Sequence, residues 1–165
     1  MRNRYIVYTF YSTLFGLLSM YTGDWDKVLI TALLCICCCK DALRGSVQFV
    51  WSIGFFAVTM LNALISQDYV SLFAGLAFFF YLLFMHQKDG PDGEPIIGGA
   101  DVFVLPASLV MYDLTVSILG TCIGLLMVLI AGCMKKQFRV RLLSMIPLGM
   151  LMVVMLDYRV IEFLV

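Results

Sequence analysis

Two aspartates at the ends of apolar segments could act together as a catalytic pair. Asp101 follows Gly98, Gly99 and Ala100 and lies about one turn into an apolar segment, while Asp41 lies at the end of another. A carboxylate at the centre of a bilayer costs about 2.5–3.5 kcal/mol on insertion scales, so it needs a partner or a function. Glycines allow close backbone approach and leave the main chain open to a ligand. The pattern therefore indicates a site built on these two acids.

A close pair of carboxylates can hydrolyse a peptide bond without a metal, a cofactor or a nucleophilic side chain. In a poorly hydrated site the two groups cannot both ionise comfortably, so they share one proton. The ionised member can act as general base on a water while the protonated member donates to the carbonyl oxygen. Residues for other protease classes are poorly represented, since His86 is the single histidine and no serine lies in a Gly-x-Ser-x-Gly pattern.

The two acids also have simpler interpretations. Asp41 could pair with Arg44, three residues further along the same helix. Asp101 could orient the start of its helix near the positive end of the helix dipole. His86 could be an interfacial residue without a chemical role. A different function is also open, in which a small transporter or channel component uses the acids as a proton or cation relay.

Composition predicts an all-α membrane protein with one domain over residues 1–165. Hydrophobic residues make up 62% of the 165 residues, and apolar runs of membrane-spanning length recur along the chain. The formal net charge of zero argues against a nucleic-acid partner. Six cysteines lie inside the apolar runs and are predicted to pack as small hydrophobic residues: Cys35, Cys37, Cys38, Cys39, Cys122 and Cys133.

Seven apolar runs predict about seven transmembrane helices with a cytoplasmic N-terminus. The predicted spans are 5–22, 27–43, 47–65, 69–86, 97–112, 114–134 and a last one from 142 to at least 156. Of the eleven lysines and arginines, only Lys27 and Arg159 then lie outside. The other nine lie on the cytoplasmic side: Arg2, Arg4, Lys40, Arg44, Lys88, Lys135, Lys136, Arg139 and Arg141.

This topology predicts that the two aspartates share a depth in the membrane. Asp41 lies near the cytoplasmic end of a span that runs inward, and Asp101 lies near the cytoplasmic start of a span that runs outward. At about 1.5 Å per residue, each is one to two turns from the cytoplasmic boundary. Contact between them is therefore possible although they are far apart in the sequence.

These residues resemble the type IV prepilin peptidases and the archaeal preflagellin peptidases, membrane aspartic proteases with a Gly-x-Gly-Asp motif. The motif corresponds to Gly98-Gly99-Ala100-Asp101, with alanine in place of the second glycine, and the earlier aspartate segment looks like Lys40-Asp41-Ala42-Leu43-Arg44. Arg139-Val140-Arg141 followed by Ile146-Pro147-Leu148-Gly149 is similar to the basic turn and the proline-bearing last helix of the family. The chain departs from the family at two points. Phe103 stands where members commonly have a lysine, and the Ile-Pro-Asn that often follows the first aspartate is absent.

The resemblance implies a compact peptidase of the prokaryotic cytoplasmic membrane, without the N-methylating region of larger members and without a cofactor. Asp41 and Asp101 would be the catalytic pair, and Gly98, Gly99 and Ala100 would shape the active-site backbone. The substrate would be a prepilin-like membrane protein with a short basic leader and a long apolar helix, cleaved at the cytoplasmic membrane face. A non-catalytic homologue in a secretion assembly is the remaining alternative.

The polar loop before the second aspartate is expected to attract the basic leader. It carries three acids, Asp89, Asp92 and Glu94. Attraction between exposed charges of opposite sign is screened by salt, so these contacts would matter most at low ionic strength.

Overall fold

The protein is all-helical, as predicted. The computed structural model describes residues 2–22, 24–44, 46–88, 95, 97–135 and 142–164, and these contain no strand. The described residues form seven α-helices: α1 (Arg2–Thr22), α2 (Trp25–Arg44), α3 (Phe49–Ile65), α4 (Tyr69–His86), α5 (Asp101–Ser108), α6 (Leu114–Lys135) and α7 (Ile146–Leu164). A 3-10 turn, Leu142–Met145, comes directly before α7.

Two of the described helices have the length and the apolar composition of a membrane span. They are Tyr69–His86, which is α4, and Leu114–Cys133, which lies in α6. Only 17% of the α4 window and 28% of the α6 window is buried inside the molecule, so most of their apolar surface faces outward. Shorter apolar helices cover Phe49–Ile65 and Leu143–Leu156.

α2 is the central helix of the bundle. It packs against α1, α3, α5 and α7 and against the 3-10 turn. Its side chains Ile30, Leu34, Cys37 and Cys38 are fully buried. Cysteine occupies little volume, so neighbouring helices can approach α2 closely at these positions. The cysteines of α2 therefore act as core packing, whereas Cys122 and Cys133 of α6 are exposed.

α5 is much shorter than the predicted span 97–112. It contains eight residues and is therefore about 12 Å long, less than half of a bilayer core. Near its end the Ser108 hydroxyl donates to the Leu105 carbonyl at 2.7 Å. A side-chain bond of this kind competes with the main-chain hydrogen bonds of the helix. Pro106 also has no N–H with which to form such a main-chain bond. The helix is therefore weakened near its C-terminal end, where it gives way to a turn.

An aromatic cluster holds α5 against α3 and α4. The ring of Phe103 lies 5.2 Å from Phe49, 5.8 Å from Phe56 and 5.5 Å from Phe79, measured between centroids. Aromatic pairs at such distances contribute roughly 0.5–1.5 kcal/mol each beyond their burial. Phe103 is two residues after Asp101, so the cluster also anchors the first turn of α5.

α6 and α7 cross at three glycines. Gly120 and Gly124 are four residues apart on α6, and Gly149 of α7 lies against both. A β-carbon on Gly149 would lie 2.5 Å from the Gly124 amide nitrogen and would overlap the Gly120 carbonyl oxygen. Small residues at this spacing permit direct backbone contact between membrane helices. The crossing consequently depends on the absence of side chains at these positions.

Candidate active site

Asp41 and Asp101 lie on the wall of a single cavity. The cavity has a volume of about 340 Å³, within the usual range for small-molecule sites. The predicted backbone residues also line it, together with residues from the α2–α3 connection, α3 and the 3-10 turn: Gly98, Gly99, Ala100, Ser46, Val47, Phe49 and Leu143. The fold thus brings together the two acids and the three backbone residues that the sequence singled out.

The two acids reach the same cavity because α2 and the segment containing α5 lie close together at two points. At one end the hydroxyl groups of Thr31 and Tyr112 form a hydrogen bond of 2.9 Å. Asp41 follows Thr31 by ten residues, and Asp101 precedes Tyr112 by eleven. Ten helical residues of α2 rise about 15 Å, and at the other end both aspartates line one cavity. The contact between the two parts of the chain that the sequence made possible is therefore present, while their depth in a membrane stays a prediction.

Asp41 lies in the last turn of α2 and is buried. It is 8% exposed and is the one charged residue in the buried class among the described side chains. Charged groups are rarely buried unless they are paired or functional. Lys40 and Arg44, its neighbours on the helix, line a different cavity. The last turn of α2 therefore presents its acid to one cavity and its two cations to another.

Asp101 is the first residue of α5, and its carboxylate lies against Gly98. The Asp101 N–H donates to the Gly98 carbonyl at 3.0 Å, which closes the turn before the helix. A β-carbon added at Gly98 would lie 2.9 Å from the Asp101 Oδ2 atom. Glycine at position 98 is therefore required for the carboxylate to keep this position.

Gly98→Ala is expected to lower activity while leaving the fold intact. The added methyl group would force only the Asp101 carboxylate to move, and the end of a side chain can rotate away at little cost in stability. Misplacement of a catalytic group by about 1 Å can cost on the order of 10²-fold in rate. For the peptidase activity that the sequence predicts, we expect a loss of about 10- to 100-fold in the cleavage rate and an unchanged unfolding midpoint, measured on the same purified sample.

Two other glycines make this experiment specific. Gly54 of α3 has open space where a β-carbon would lie, so Gly54→Ala is the control that should retain both activity and stability. A β-carbon at Gly99 would meet only the His86 ring at 3.8 Å, an ordinary contact. If Gly99→Ala loses as much activity as Gly98→Ala, access to the main chain and not the orientation of Asp101 is the cause.

His86 has a structural role at the site that the sequence did not indicate. Its Nδ1 atom lies 2.6 Å from the Ile97 carbonyl oxygen, and because a carbonyl only accepts, the ring nitrogen donates. This bond joins the last residue of α4 to the residue before Gly98. No motif marks this pairing, because the two residues are separated by a polar loop and the acceptor is a backbone atom.

Gln48 organises the connection between α2 and α3, which the sequence also did not indicate. Its Oε1 atom accepts from Lys40 Nζ at 3.2 Å and from Trp51 Nε1 at 3.1 Å. These bonds hold the connection beside the end of α2, so that Ser46 and Val47 face the cavity.

The three acids expected to attract a basic leader are Asp89, Asp92 and Glu94. They lie outside the described residues, and their role stays a prediction.

No protein-family model, curated protein or solved structure matches this chain.

Proposed function

We propose that the protein is a polytopic membrane aspartic endopeptidase that cleaves the leader from prepilin-like substrates at the cytoplasmic membrane face. One observation carries this proposal: Asp41 and Asp101, from distant parts of the chain, line one cavity together with the backbone of Gly98, Gly99 and Ala100. The residues that resemble the Gly-x-Gly-Asp motif are thus those that form the wall around the pair.

The chemistry follows from two carboxylates that hold one proton between them. The ionised carboxylate takes a proton from a water molecule, whose oxygen attacks the peptide carbonyl carbon. The protonated carboxylate donates its proton to the carbonyl oxygen as the tetrahedral intermediate forms. When the C–N bond breaks, the carboxylate that received the water proton passes it to the leaving nitrogen, and the other carboxylate takes a hydroxyl proton back from the collapsing intermediate. The pair returns to its original charge.

The apolar part of the cavity suits a membrane-embedded substrate. Val47, Phe49 and Leu143 line the wall beside the acids. A substrate with an apolar helix could place its scissile bond against this wall while its polar leader remains in the cytoplasm. Burial of apolar side chains would supply binding energy of roughly 25 cal/mol per Å².

In the proposed topology all seven segments are spans, and the fifth is the segment 97–112, of which α5 is the helical part and a turn forms the end. A non-helical backbone is tolerated at membrane depth only where protein encloses it. The turn meets this condition, since Val110 and Met111 are buried and the Tyr112 N–H donates to the Ser117 hydroxyl at 3.0 Å. Ser108 also lies 3.1 Å from Thr121 of α6, hydroxyl to hydroxyl. The fifth segment is therefore enclosed by its neighbours.

Co-expression with a prepilin-like substrate in a bacterial membrane tests the proposal. We expect a shortened product whose new N-terminus, read by mass spectrometry, lies at the junction of the basic leader and the apolar helix. If the protein accumulates in the membrane and the substrate stays intact, it is not this peptidase. Proton or cation flux in liposomes that contain the purified protein, without cleavage, would instead support the relay.

A further inference from the structure

We infer that a groove between α1 and α2 binds an anionic phospholipid, with the phosphate held by Lys40 and Arg44. This rests on the membrane placement in the proposed function and is independent of the peptidase chemistry. The groove is a separate cavity of about 410 Å³. Its lining is drawn from the middle of α1 and from one face of α2: Tyr8, Tyr11, Ser12, Phe15, Ala32, Cys35, Ile36, Cys39, Lys40, Leu43 and Arg44.

The charge in the groove is of one sign. Lys40 and Arg44 are the two charged residues of its lining, and they are four residues apart on α2, so they lie on the same helix face. Asp41 lines the other cavity. No acid among the described residues lines the groove, so these residues supply no anion to balance the charges of Lys40 and Arg44.

The cation at position 40 is oriented and still has donors to offer. Lys40 Nζ donates to Gln48 Oε1 at 3.2 Å and lies 5.0 Å from the centroid of the Trp51 ring. An ammonium group has three N–H donors, so donors remain for a phosphate oxygen. Basic pockets between helices at the cytoplasmic membrane face are recognised sites for anionic lipid head groups.

The remainder of the groove is suited to the glycerol and the first part of an acyl chain. Tyr11, Cys35 and Cys39 are buried in its floor, while Phe15, Ile36 and Leu43 form half-buried walls. The hydroxyl groups of Tyr8 and Ser12 lie on the exposed α1 side, where they could meet polar head-group atoms. The combination of an apolar floor and a cationic end matches an amphipathic anion better than a free phosphate ion.

Trp51 provides a reporter for this site. The chain has two tryptophans, and Trp25 is 88% exposed at the start of α2, so Trp25→Phe leaves Trp51 as the single indole. The protein would be reconstituted in phosphatidylcholine bilayers with a small fraction of either phosphatidylglycerol or phosphatidylcholine carrying brominated chains. We expect stronger quenching of Trp51 by the brominated phosphatidylglycerol.

Arg44→Gln should reduce this preference roughly fivefold, which corresponds to the ~1 kcal/mol that one basic residue contributes near an anionic surface. Arg44 is the principal variant because Lys40→Gln would also remove the cation beside the reporter. The matched control is Lys88→Gln. Lys88 is an exposed cation stacked over Phe84 at 4.5 Å, but it does not line the groove.

Three results would overturn the inference. Equal quenching by the two brominated lipids would mean that no selective site exists, and equal effects of Arg44→Gln and Lys88→Gln would mean that general surface charge attracts the lipid. Relief of quenching by glycerol phosphate or by a prepilin-like peptide would assign the groove to a soluble anion or to the substrate. The quenching measurement involves no cleavage. A negative quenching result would therefore not count against the peptidase proposal, and a failed cleavage assay would not count against the lipid site.

Discussion

Asp41→Asn and Asp101→Asn are each expected to abolish processing of a co-expressed prepilin-like substrate. An amide has the same shape as a carboxyl group. It cannot accept a proton from the attacking water, and it cannot donate an acidic proton to the carbonyl oxygen of the substrate. General acid–base catalysis contributes about 10²- to 10⁴-fold, so we expect each variant to retain no more than about 1% of the wild-type cleavage rate. The readout is the fraction of substrate shortened at fixed times in membranes with matched amounts of protein.

The double variant should be no slower than either single variant, because residues that act as a unit have non-additive effects. Asp113→Asn is the matched control. Asp113 is exposed at the start of α6 and does not line the cavity, so its replacement should leave cleavage unchanged. Wild-type processing by either Asp41→Asn or Asp101→Asn would contradict the two-carboxylate mechanism.

Gly149→Ala is expected to be among the most destabilising single substitutions in the chain. The new methyl group would overlap the Gly120 carbonyl oxygen and would lie 2.5 Å from the Gly124 amide nitrogen. Both are backbone atoms, so no side chain can rotate away and the two helices must separate. Overpacking of this kind costs about 1–3 kcal/mol and occasionally more. Unfolding of the purified protein in detergent should show a clearly lower midpoint.

The control for this variant is Gly16→Ala on α1. A β-carbon there would meet no atom within 4 Å, and alanine favours a helix over glycine by about 0.8–1.0 kcal/mol. We therefore expect Gly16→Ala to leave stability unchanged or to raise it slightly. Equal midpoints for Gly149→Ala and the wild-type protein would mean that α6 and α7 do not cross in direct backbone contact.

The sequence predicts the helices well where apolar runs are long and uninterrupted. The predicted spans 69–86 and 114–134 correspond closely to α4 and α6, because hydrophobic periodicity and flanking polar residues define both ends. The sequence also predicts that Asp41 and Asp101 can come together, and both line one cavity, while the alternating span directions behind that prediction stay a prediction.

The sequence does not predict how the site is held together. The predicted span 97–112 is wrong about the extent of its helix, because apolar composition does not reveal the interruption by Gly98, Gly99 and Pro106. The bond between His86 and the Ile97 carbonyl and the two bonds to Gln48 are tertiary contacts. Their partners are backbone atoms or distant side chains, and such pairings leave no periodic signal in a single sequence.

The bond between His86 and Ile97 makes the position of Asp101 independent of the length of the loop that precedes it. The two residues fix the ends of residues 87–96, so extra residues inserted between them would lengthen a closed loop without moving the site. Each doubling of a flexible loop costs only about 0.6 kcal/mol in closure entropy. We therefore expect an epitope tag inserted between His86 and Ile97 to leave the cavity around the two aspartates unchanged.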